Sequence, residues 1–333
     1  MLKNSSLEKL HAKKNLLAFS AGVDSSALFF ILQEYKIDFD IAIVNYNIRS
    51  QSKNELDYAY ELADKYKIKC YTLDAEKIEN NFEANARKIR YDFFEELIQK
   101  YKYDNLITAH HLGDRFEWML MQFCKGAGCA ELSGMQTIHK RQNYTLLRPL
   151  LHLDKQELLA YLDKNNIKYF IDESNNDETI KRNEFRHQYS KPLLEKYLNG
   201  IKKSFEYIDK DRESLVYESD ITILRDFAYF TTLQTPRANI YIIDKYLKSL
   251  GLMISSNERA LLETQESSVV GRKFLVTQNN NYVFIAPYKK IQKTLESQFK
   301  DECRKLKIQP KLRPYLFENQ DIYREVKKLL SAI

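Results

Sequence analysis

Two stretches of this sequence carry residues whose types and spacing could do chemistry, and the first is a turn of small and hydroxyl side chains. An apolar run at 16–19 leads into it, and a helical pattern at 27–32 follows it. Small residues let backbone N–H groups point into one concavity, and a helix start adds the positive end of its dipole. The turn therefore predicts a phosphate-binding loop, although a strand-to-helix turn with serine caps would have the same composition. It consists of Ser20, Ala21, Gly22, Val23, Asp24, Ser25 and Ser26.

The second stretch follows the apolar run at 106–109 and contains His110, Asp114 and Glu117. Their spacing of i, i+4 and i+7 predicts that all three share one face of a helix. A pair of carboxylates there could hold Mg²⁺, bind an ammonium group or accept a proton from an attacking amine. Two acids three residues apart are also typical of a solvated helix face. The position directly after a buried strand is what favours a functional role.

Both stretches need elements that bring them together, and the first 200 residues contain a suitable pattern. Short apolar runs at 16–19, 41–44, 70–73 and 106–109 alternate with helical patterns. This alternation predicts βαβα units in an α/β fold with an open, mainly parallel sheet flanked by helices. Such sheets bind ligands at the carboxyl ends of their strands, which is where both stretches would lie.

The second part of the chain has a different pattern. From about residue 191 long, charged helical patterns take over, and a small β-like patch spans 272–286 with the asparagines 279–281 as its turn. The tail at 310–333 is predicted as a loop and a last helix. We therefore expect a catalytic domain at 1–200 and a smaller, mainly helical C-terminal domain at 201–333.

Composition agrees with two folded domains and excludes several classes of protein. The 333 residues correspond to about two domains at roughly 150 residues each, and 44% apolar content excludes a disordered or fibrous chain. Four cysteines without a C-x-x-C pair predict reduced thiols rather than a disulfide framework. The charged start and the lack of an apolar run of roughly 18 residues predict a cytoplasmic protein without a membrane span.

Six segments in order carry motifs more specific than the turn alone. Neither a G-x-x-x-x-G-K-[ST] nor a G-x-G-x-x-G motif occurs, so neither a P-loop NTPase nor a Rossmann dinucleotide site is supported. The segments are S-A-G-V-D-S at 20–25, V-N-Y-N-I-R at 44–49 with Ser52 and Glu55, N-F-E-A-N-A-R-K-I-R-Y at 81–91, T-A-H-H-L-G-D-R-F-E at 108–117, L-R-P-L-L at 147–151, and D-E-S-N at 172–175 with 181–187. The first resembles the S-G-G-x-D-S loop of the N-type ATP pyrophosphatases or PP-loop superfamily, and the series resembles the tRNA(Ile)-lysidine synthetases, a family of that superfamily.

The resemblance implies a fold like that of the adenine-nucleotide α-hydrolases, and a ligase that uses ATP and Mg²⁺. Such an enzyme joins L-lysine to C2 of the wobble cytidine in an isoleucine tRNA with a CAU anticodon, through an adenylated tRNA, and releases AMP and diphosphate. The resemblance also implies that the loop at 20–26 binds ATP, with Mg²⁺ near Asp24. It implies Asp114, Glu117, Arg182 and Arg90 as the catalytic residues. It allows a homodimer and implies no membrane partner.

The chain departs from the family pattern at a few positions. Ala21 stands where the loop has its first glycine, which is tolerable at negative φ but harmful if the turn needs a positive φ. Tyr46 and Asn47 replace His and Gly, Lys125 stands where Arg is usual, and Glu173 replaces Pro. None of these changes removes a proposed catalytic group.

Two alternatives to the ligase remain open at the level of sequence. One is a tRNA thiolase built on the same loop, although Cys124 and Cys129 are not set as the paired cysteines that sulfur transfer usually needs. The other is a non-catalytic nucleotide- or RNA-binding module whose loop has decayed at Ala21. Two basic stretches predict RNA docking by the second domain, although a solvated helix face has the same pattern. They are Lys196, Lys202, Lys203, Lys210 and Arg212, and Lys289, Lys290, Lys293, Lys300, Arg304, Lys305 and Lys307.

Overall fold

The computed structural model describes residues 1–46, 51–171, 181–215, 220–289 and 295–331. The predicted segments at 47–49 and 172–175, and Lys290 and Lys293, lie outside these residues. The chain divides into two units, Met1–Lys210 and Asp211–Ile333. The boundary between the two units falls within one long helix. The helical sequence pattern continues across this boundary, so no local feature of the sequence marks it.

The first unit alternates strands and helices along most of its length. Its strands are β1 (Asn15–Ala18), β2 (Phe39–Asn45), β3 (Cys70–Asp74), β4 (Asn105–Ile107), β5 (Ile138–Lys140) and β6 (Thr145–Leu147). Its helices are α1 (Asn4–Leu10), α2 (Val23–Glu34), α3 (Gln51–Tyr66), α4 (Phe82–Tyr101), α5 (Leu112–Phe123), α6 (Cys129–Leu132), α7 (Lys155–Lys164) and α8 (Lys181–Phe185). A π-helical turn at Arg186–Ser190 joins α8 to α9 (Lys191–Leu215), which crosses into the second unit.

The strands of the first unit form a six-stranded sheet in the order β3-β2-β1-β4-β6-β5. All neighbours are parallel except β5 and β6, so the predicted open, mainly parallel sheet is confirmed. The four apolar runs of the sequence are β1 to β4. From β1 the chain adds β2 and then β3 on one side, and it then places β4 on the other side of β1. The direction in which strands are added therefore reverses between β1 and β4. Ligands of open α/β sheets bind at this kind of reversal point.

Helices cover both faces of this sheet because successive strand residues point to opposite sides. Leu17 packs into a core with Phe29 of α2. The adjacent Leu16 packs into a separate core with Phe94 of α4. A smaller cluster, which includes Phe116 of α5 and Phe205 of α9, attaches α9 to α5. These contacts fix α2, α4 and α5 around the carboxyl ends of β1 and β4.

The second unit consists of helices packed on both faces of an antiparallel sheet. Its strands β7 (Thr222–Leu224), β8 (Phe227–Thr231), β9 (Ser267–Val270), β10 (Phe274–Gln278) and β11 (Tyr282–Pro287) are ordered β7-β8-β11-β10-β9. Its helices are α10 (Pro236–Ser249), α11 (Ser256–Thr264), α12 (Ser297–Lys305), α13 (Arg313–Glu318) and α14 (Gln320–Ser331). The helices α10 and α11 share one core with the sheet, and α12 to α14 share the other.

The predicted β patch is the hairpin of β10 and β11, with residues 279–281 at its turn. The sequence did not reveal β7, β8 and β9, which are three to five residues long. β7 and β9 pair with the strands that follow them in sequence, whereas β8 also pairs with the distant β11. The predicted last helix is two helices, α13 and α14. No described helix in either unit is long and apolar enough to cross a membrane.

Candidate active site

Hydrogen bonds made by its own serines hold the loop after β1 together. Ser25 Oγ lies 3.2 Å from the backbone nitrogen of Ser20, 3.0 Å from Ser20 Oγ, and donates to the carbonyl of Gly22 at 3.2 Å. Helix α2 begins at Val23, directly after this turn. The Oγ of Ser26 is buried without a hydrogen-bond partner in the described part of the chain. The predicted phosphate-binding loop therefore has a defined shape and a helix N-terminus at its base.

Ala21 is the strained residue of this loop. Its φ is +57°, its side chain is fully buried, and its carbonyl accepts a hydrogen bond from the backbone of Phe170 at 2.9 Å. The turn thus needs the positive angle that a β-carbon disfavours. Gly22, by contrast, has a φ of −76°, and an added β-carbon would make only ordinary contacts, 3.5 Å from Ser20 Oγ and 3.9 Å from the carbonyl oxygen of Phe170. A bare backbone there leaves room for a ligand to approach closely.

The segment after β4 places two histidines before a helix. Because α5 begins at Leu112, His110 lies outside it, and the prediction that His110 shares a helical face with Asp114 and Glu117 was wrong. His110 Nδ1 lies 2.9 Å from Thr108 Oγ1. Burial lowers the pKa of His110 to about 3, although the nearby Asp114 carboxylate opposes this shift. His110 is therefore neutral at pH 7 and serves as a hydrogen-bonding group.

His111 caps helix α5 and spans the gap between the two predicted stretches. Its Nδ1 accepts from the backbone N–H of Gly113 at 3.0 Å, and its own backbone N–H donates to Asp114 Oδ2 at 3.0 Å. Since Nδ1 accepts, a neutral ring carries its proton on Nε2. That atom lies 3.8 Å from Asp24 Oδ2 and 3.7 Å from Asp114 Oδ2. The loop after β1 and the acidic helix after β4 are thus adjacent, joined through one imidazole.

The tight cap leaves no space for a side chain at residue 113. A β-carbon on Gly113 would lie 2.6 Å from Cε1 of His111. The glycine is therefore needed for the imidazole to fold back over the start of α5.

Two arginines lie against the two acids of α5, and we call Asp114, Glu117, Arg182 and Arg186 the ion cluster. Arg182 donates through Nη2 to Asp114 Oδ1 at 3.0 Å and through Nε to Glu117 Oε1. Arg186 donates through Nε to Glu117 Oε2 at 2.9 Å. The Glu117 side chain is only 2% exposed, so the arginines supply the partners that a buried carboxylate needs. Glu83 of α4 adds a third carboxylate, 3.6 Å from Arg182 Nη1.

The surrounding charges favour the ionised forms of Asp114 and Arg182. Burial alone would raise the pKa of Asp114, but His111, His110 and Arg182, with the backbone N–H of His111, hold that pKa far below its usual range. Burial also opposes the charge of Arg182, and the carboxylates of Asp114, Glu117 and Glu83 outweigh it and raise the Arg182 pKa. Asp114 is therefore a charged carboxylate at pH 7.

Asp24 fits the role of a Mg²⁺ ligand. Its Oδ1 is buried and has no hydrogen-bond partner among the residues that the structure describes. Its Oδ2 lies 3.5 Å from Nζ of Lys155, the first residue of α7. Mg²⁺ in nucleotide sites uses one or two carboxylates and takes its remaining ligands from phosphates and water. An unpartnered carboxylate oxygen beside a phosphate-binding loop matches that ligand set.

The remaining predicted residue, Arg90, is exposed on α4. Within the described ranges no ion pair joins it to the ion cluster, and its charge instead acts on the Tyr46 hydroxyl. Sequence reasoning did not select His111, Arg186 or Lys155 as site residues. For Arg186 the i, i+4 spacing from Arg182 was a usable signal, whereas Lys155 meets Asp24 across 131 residues and carries no local signal.

Comparison with known proteins gives relatives along almost the whole chain. Residues 2–193 match the family model described as a PP-loop domain. The chain is 43% identical over 319 residues to the tRNA(Ile)-lysidine synthase of Campylobacter jejuni (strain RM1221), covering 96% of this chain and 97% of that protein. It is 42% identical to the tRNA(Ile)-lysidine synthase of Wolinella succinogenes (93% and 94% covered) and 40% identical to that of Helicobacter pylori strain 26695 (93% and 91%).

A solved structure supports the fold independently. The U34-tRNA thiolase of Methanococcus maripaludis, described with its [4Fe-4S] cluster, superposes with a TM-score of 0.51 at 18% identity. The match covers 66% of this chain and 78% of that one. At this identity the similarity is one of fold alone.

Proposed function

The chain belongs to the family of tRNA(Ile)-lysidine synthases, and from that premise we propose that it joins L-lysine to C2 of the wobble cytidine in an isoleucine tRNA with a CAU anticodon. The C2 oxygen of cytidine is a poor leaving group, so the reaction has two steps. The oxygen first attacks the α-phosphate of ATP, which releases diphosphate and leaves an adenylated base. An amine of lysine then attacks C2, and AMP departs.

One observation carries this proposal: the imidazole of His111 lies within 4 Å of both Asp24 and Asp114. A base activated at the phosphate-binding loop would therefore lie close to the carboxylates that bind the amine. Such proximity matters because positioning two reactants can supply a large part of the rate enhancement.

In the first step the loop at 20–26 binds the triphosphate. The proposed donors to the departing diphosphate are the backbone N–H groups at the start of α2 and the hydroxyl of Ser20. Asp24 is the proposed protein ligand of Mg²⁺, which when bound neutralises charge that develops on the phosphates. Lys155, 3.5 Å from Asp24, orients that carboxylate.

In the second step the ion cluster binds the lysine ammonium. Asp114, Glu117 and Glu83 bring three carboxylates against the guanidinium groups of Arg182 and Arg186. These five side chains carry one net negative charge, which an ammonium group would neutralise. The amine must lose a proton before it can act as a nucleophile.

Asp114 and Glu117 together are the proposed residues that orient the amine and help to remove its proton. The low pKa of Asp114 keeps its carboxylate charged, as binding of an ammonium requires. Arg182 lies on both carboxylates and is the candidate to meet the negative charge of phosphate or of the lysine carboxylate. Arg90, exposed on α4, is the second candidate for that charge.

We propose that residues of the two basic stretches contact the tRNA backbone, and α9 carries the first stretch. Some of these charges already have partners, since Lys202 pairs with Glu157 at 2.6 Å and Lys203 with Glu206 at 3.0 Å. Lys196 instead lies over the ring of Tyr197. We propose that Lys196 and the charges of α12 contact tRNA phosphates, in which case binding weakens with salt. The homodimer stays a prediction, since the structure contains one chain.

The test is to incubate the full chain with ATP, lysine and an isoleucine tRNA with a CAU anticodon, and to measure AMP release and the mass of the RNA. We expect AMP release that requires both lysine and tRNA, and RNA that gains a lysine residue. The same tRNA with uridine at the wobble position is the matched control. A tRNA thiolase would release AMP without lysine, and a binding module would release none. Either result would overturn the proposal.

A further inference from the structure

Phe82 is an exposed aromatic residue at the edge of the candidate active site. It is the first residue of α4, its side chain is 44% exposed, and it belongs to none of the core clusters formed by the described residues. Single exposed apolar side chains are common on protein surfaces and need no explanation by themselves. Phe82 differs from other exposed apolar residues in two ways: it precedes a residue that contacts the ion cluster, and a second aromatic ring packs against it.

The position of Phe82 is fixed relative to the ion cluster. The next residue, Glu83, reaches Arg182 at 3.6 Å, and Arg182 contacts both carboxylates of α5. Phe82 therefore directly precedes a residue that contacts the ion cluster, at the amino-terminal end of α4.

Tyr46 supports Phe82 from the carboxyl end of β2. The two ring centroids are 5.7 Å apart with an angle of 73° between the rings, an edge-to-face geometry that aromatic pairs favour. The Tyr46 hydroxyl donates to the carbonyl of Ala86 at 2.9 Å, which ties the end of β2 to the first turns of α4. Burial raises the pKa of Tyr46, against the opposing charge of Arg90, so the hydroxyl stays a neutral donor.

We propose that Tyr46 and Phe82, the aromatic pair, form a stacking platform for the nucleobase that enters the site, with Tyr46 as the residue that positions Phe82. Every nucleobase has a π-face, and stacking on an aromatic side chain binds it without reading its sequence. Arg90, whose charge acts on the Tyr46 hydroxyl, is the cation that we propose for the phosphate of the same nucleotide. This inference rests on the proposed function, and the base comes either from the tRNA or from ATP.

Steady-state kinetics of Phe82→Ala tests the platform. Loss of one stacking contact predicts a roughly 5- to 100-fold rise in KM for the substrate whose base stacks, with a smaller change in kcat. Phe82→Tyr, which keeps a ring, should restore the KM. Tyr46→Phe keeps the ring contact but removes the bond to Ala86, and should have an intermediate effect. A KM that rises for tRNA alone assigns the base to tRNA, and one that rises for ATP alone assigns it to adenine.

The matched control is Tyr60→Ala, which removes a ring of similar exposure (48%) from α3. We expect no change in either KM for this variant. If Phe82→Ala keeps wild-type KM values for both substrates, the platform is refuted. A wild-type chain that makes no lysidine would instead refute the proposed function, so the two failures are distinct.

A binding measurement separates stacking from a merely structural role. Trp118 is the only tryptophan of the chain, so Phe82→Trp combined with Trp118→Phe gives a single fluorescent reporter at the platform. We expect its emission to be quenched by an anticodon stem-loop RNA or by a non-hydrolysable ATP analogue. The probe that quenches identifies the source of the base. Unchanged emission with both probes would overturn the inference.

Discussion

Arg182 Nη2 lies 3.0 Å from Asp114 Oδ1 although 68 residues separate them in sequence. The contact joins the short helix α8 to the start of α5. The guanidinium group of Arg182 thereby holds the Asp114 carboxylate, whose pKa lies far below its usual range, in a fixed orientation. Preorganised charges of this kind stabilise a developing charge without reorganisation during the reaction.

Replacing Asp114 should stop turnover without unfolding the protein. Asp114→Asn keeps the size and the hydrogen-bonding oxygen but removes the charge that binds the amine, and we expect kcat/KM for lysine to fall by roughly 100-fold or more. AMP release under saturating ATP and tRNA measures this. Asp92→Asn, on the exposed pair with Lys88 in α4, should retain full activity. Wild-type rates in Asp114→Asn would refute its role.

The pairing of Arg182 with Glu117 should contribute to stability as well as to function. Arg182→Ala leaves a nearly buried carboxylate with fewer donors, and we expect a loss of about 1–3 kcal/mol in the free energy of unfolding. A double-mutant cycle with Glu117→Gln, followed by urea denaturation, isolates the coupling between the two side chains. The exposed pair of Lys88 and Asp92 should give a much smaller coupling in the same cycle, because solvent screens it. Equal coupling in both cycles would contradict the structure.

The positive φ of Ala21 predicts a stabilising substitution inside the phosphate-binding loop. Ala21→Gly removes the β-carbon that disfavours this angle but makes the unfolded chain more flexible, so we expect a net gain of up to about 1 kcal/mol. Ala27→Gly, inside helix α2, is the control and should destabilise the protein. Chemical denaturation of the two variants should give shifts of opposite sign. Destabilisation by Ala21→Gly would mean that the angle carries no strain.

His110 should make stability depend on pH in a defined window. Its pKa in the folded protein is about 3, against roughly 6.5 in an unfolded chain. Between these values the unfolded chain binds a proton that the folded protein does not, so stability falls as the pH falls from about 6.5 towards 3. His110→Asn should flatten this slope, measured as the urea midpoint against pH. Above pH 7.5 the two proteins should show parallel, flat profiles.

Asp24 should determine how much Mg²⁺ the first step needs. Chelation of Mg²⁺ should abolish AMP release, and Asp24→Asn should raise the Mg²⁺ concentration for half-maximal rate by roughly tenfold or more, because it removes a charged ligand. Asp64→Asn, exposed on α3 beside Lys67, is the control and should leave the Mg²⁺ dependence unchanged. An unchanged Mg²⁺ dependence in Asp24→Asn would remove this residue from the metal site.

The sequence was sufficient for the features that depend on local pattern. The apolar runs that became β1, β2 and β4 are visible because a strand buried on both faces needs continuous apolar residues. The run of β3, an edge strand, is weaker. The turn at 20–26 is visible because small and hydroxyl residues follow such a run. The acids of α5 could be placed at the ligand-binding edge because the carboxyl ends of parallel strands share one edge.

Only the tertiary structure decided how these parts meet. Three features depend on strand order and on packing between distant segments. They are the approach of His111 to Asp24, the ion pair of Arg182 with Asp114, and the positive φ of Ala21. The same holds for the pairing of β8 with β11, two strands that lie far apart in sequence. Periodicity reports which face of an element is buried, but hydrogen bonds and ion pairs between remote residues form only after the chain has brought those faces together.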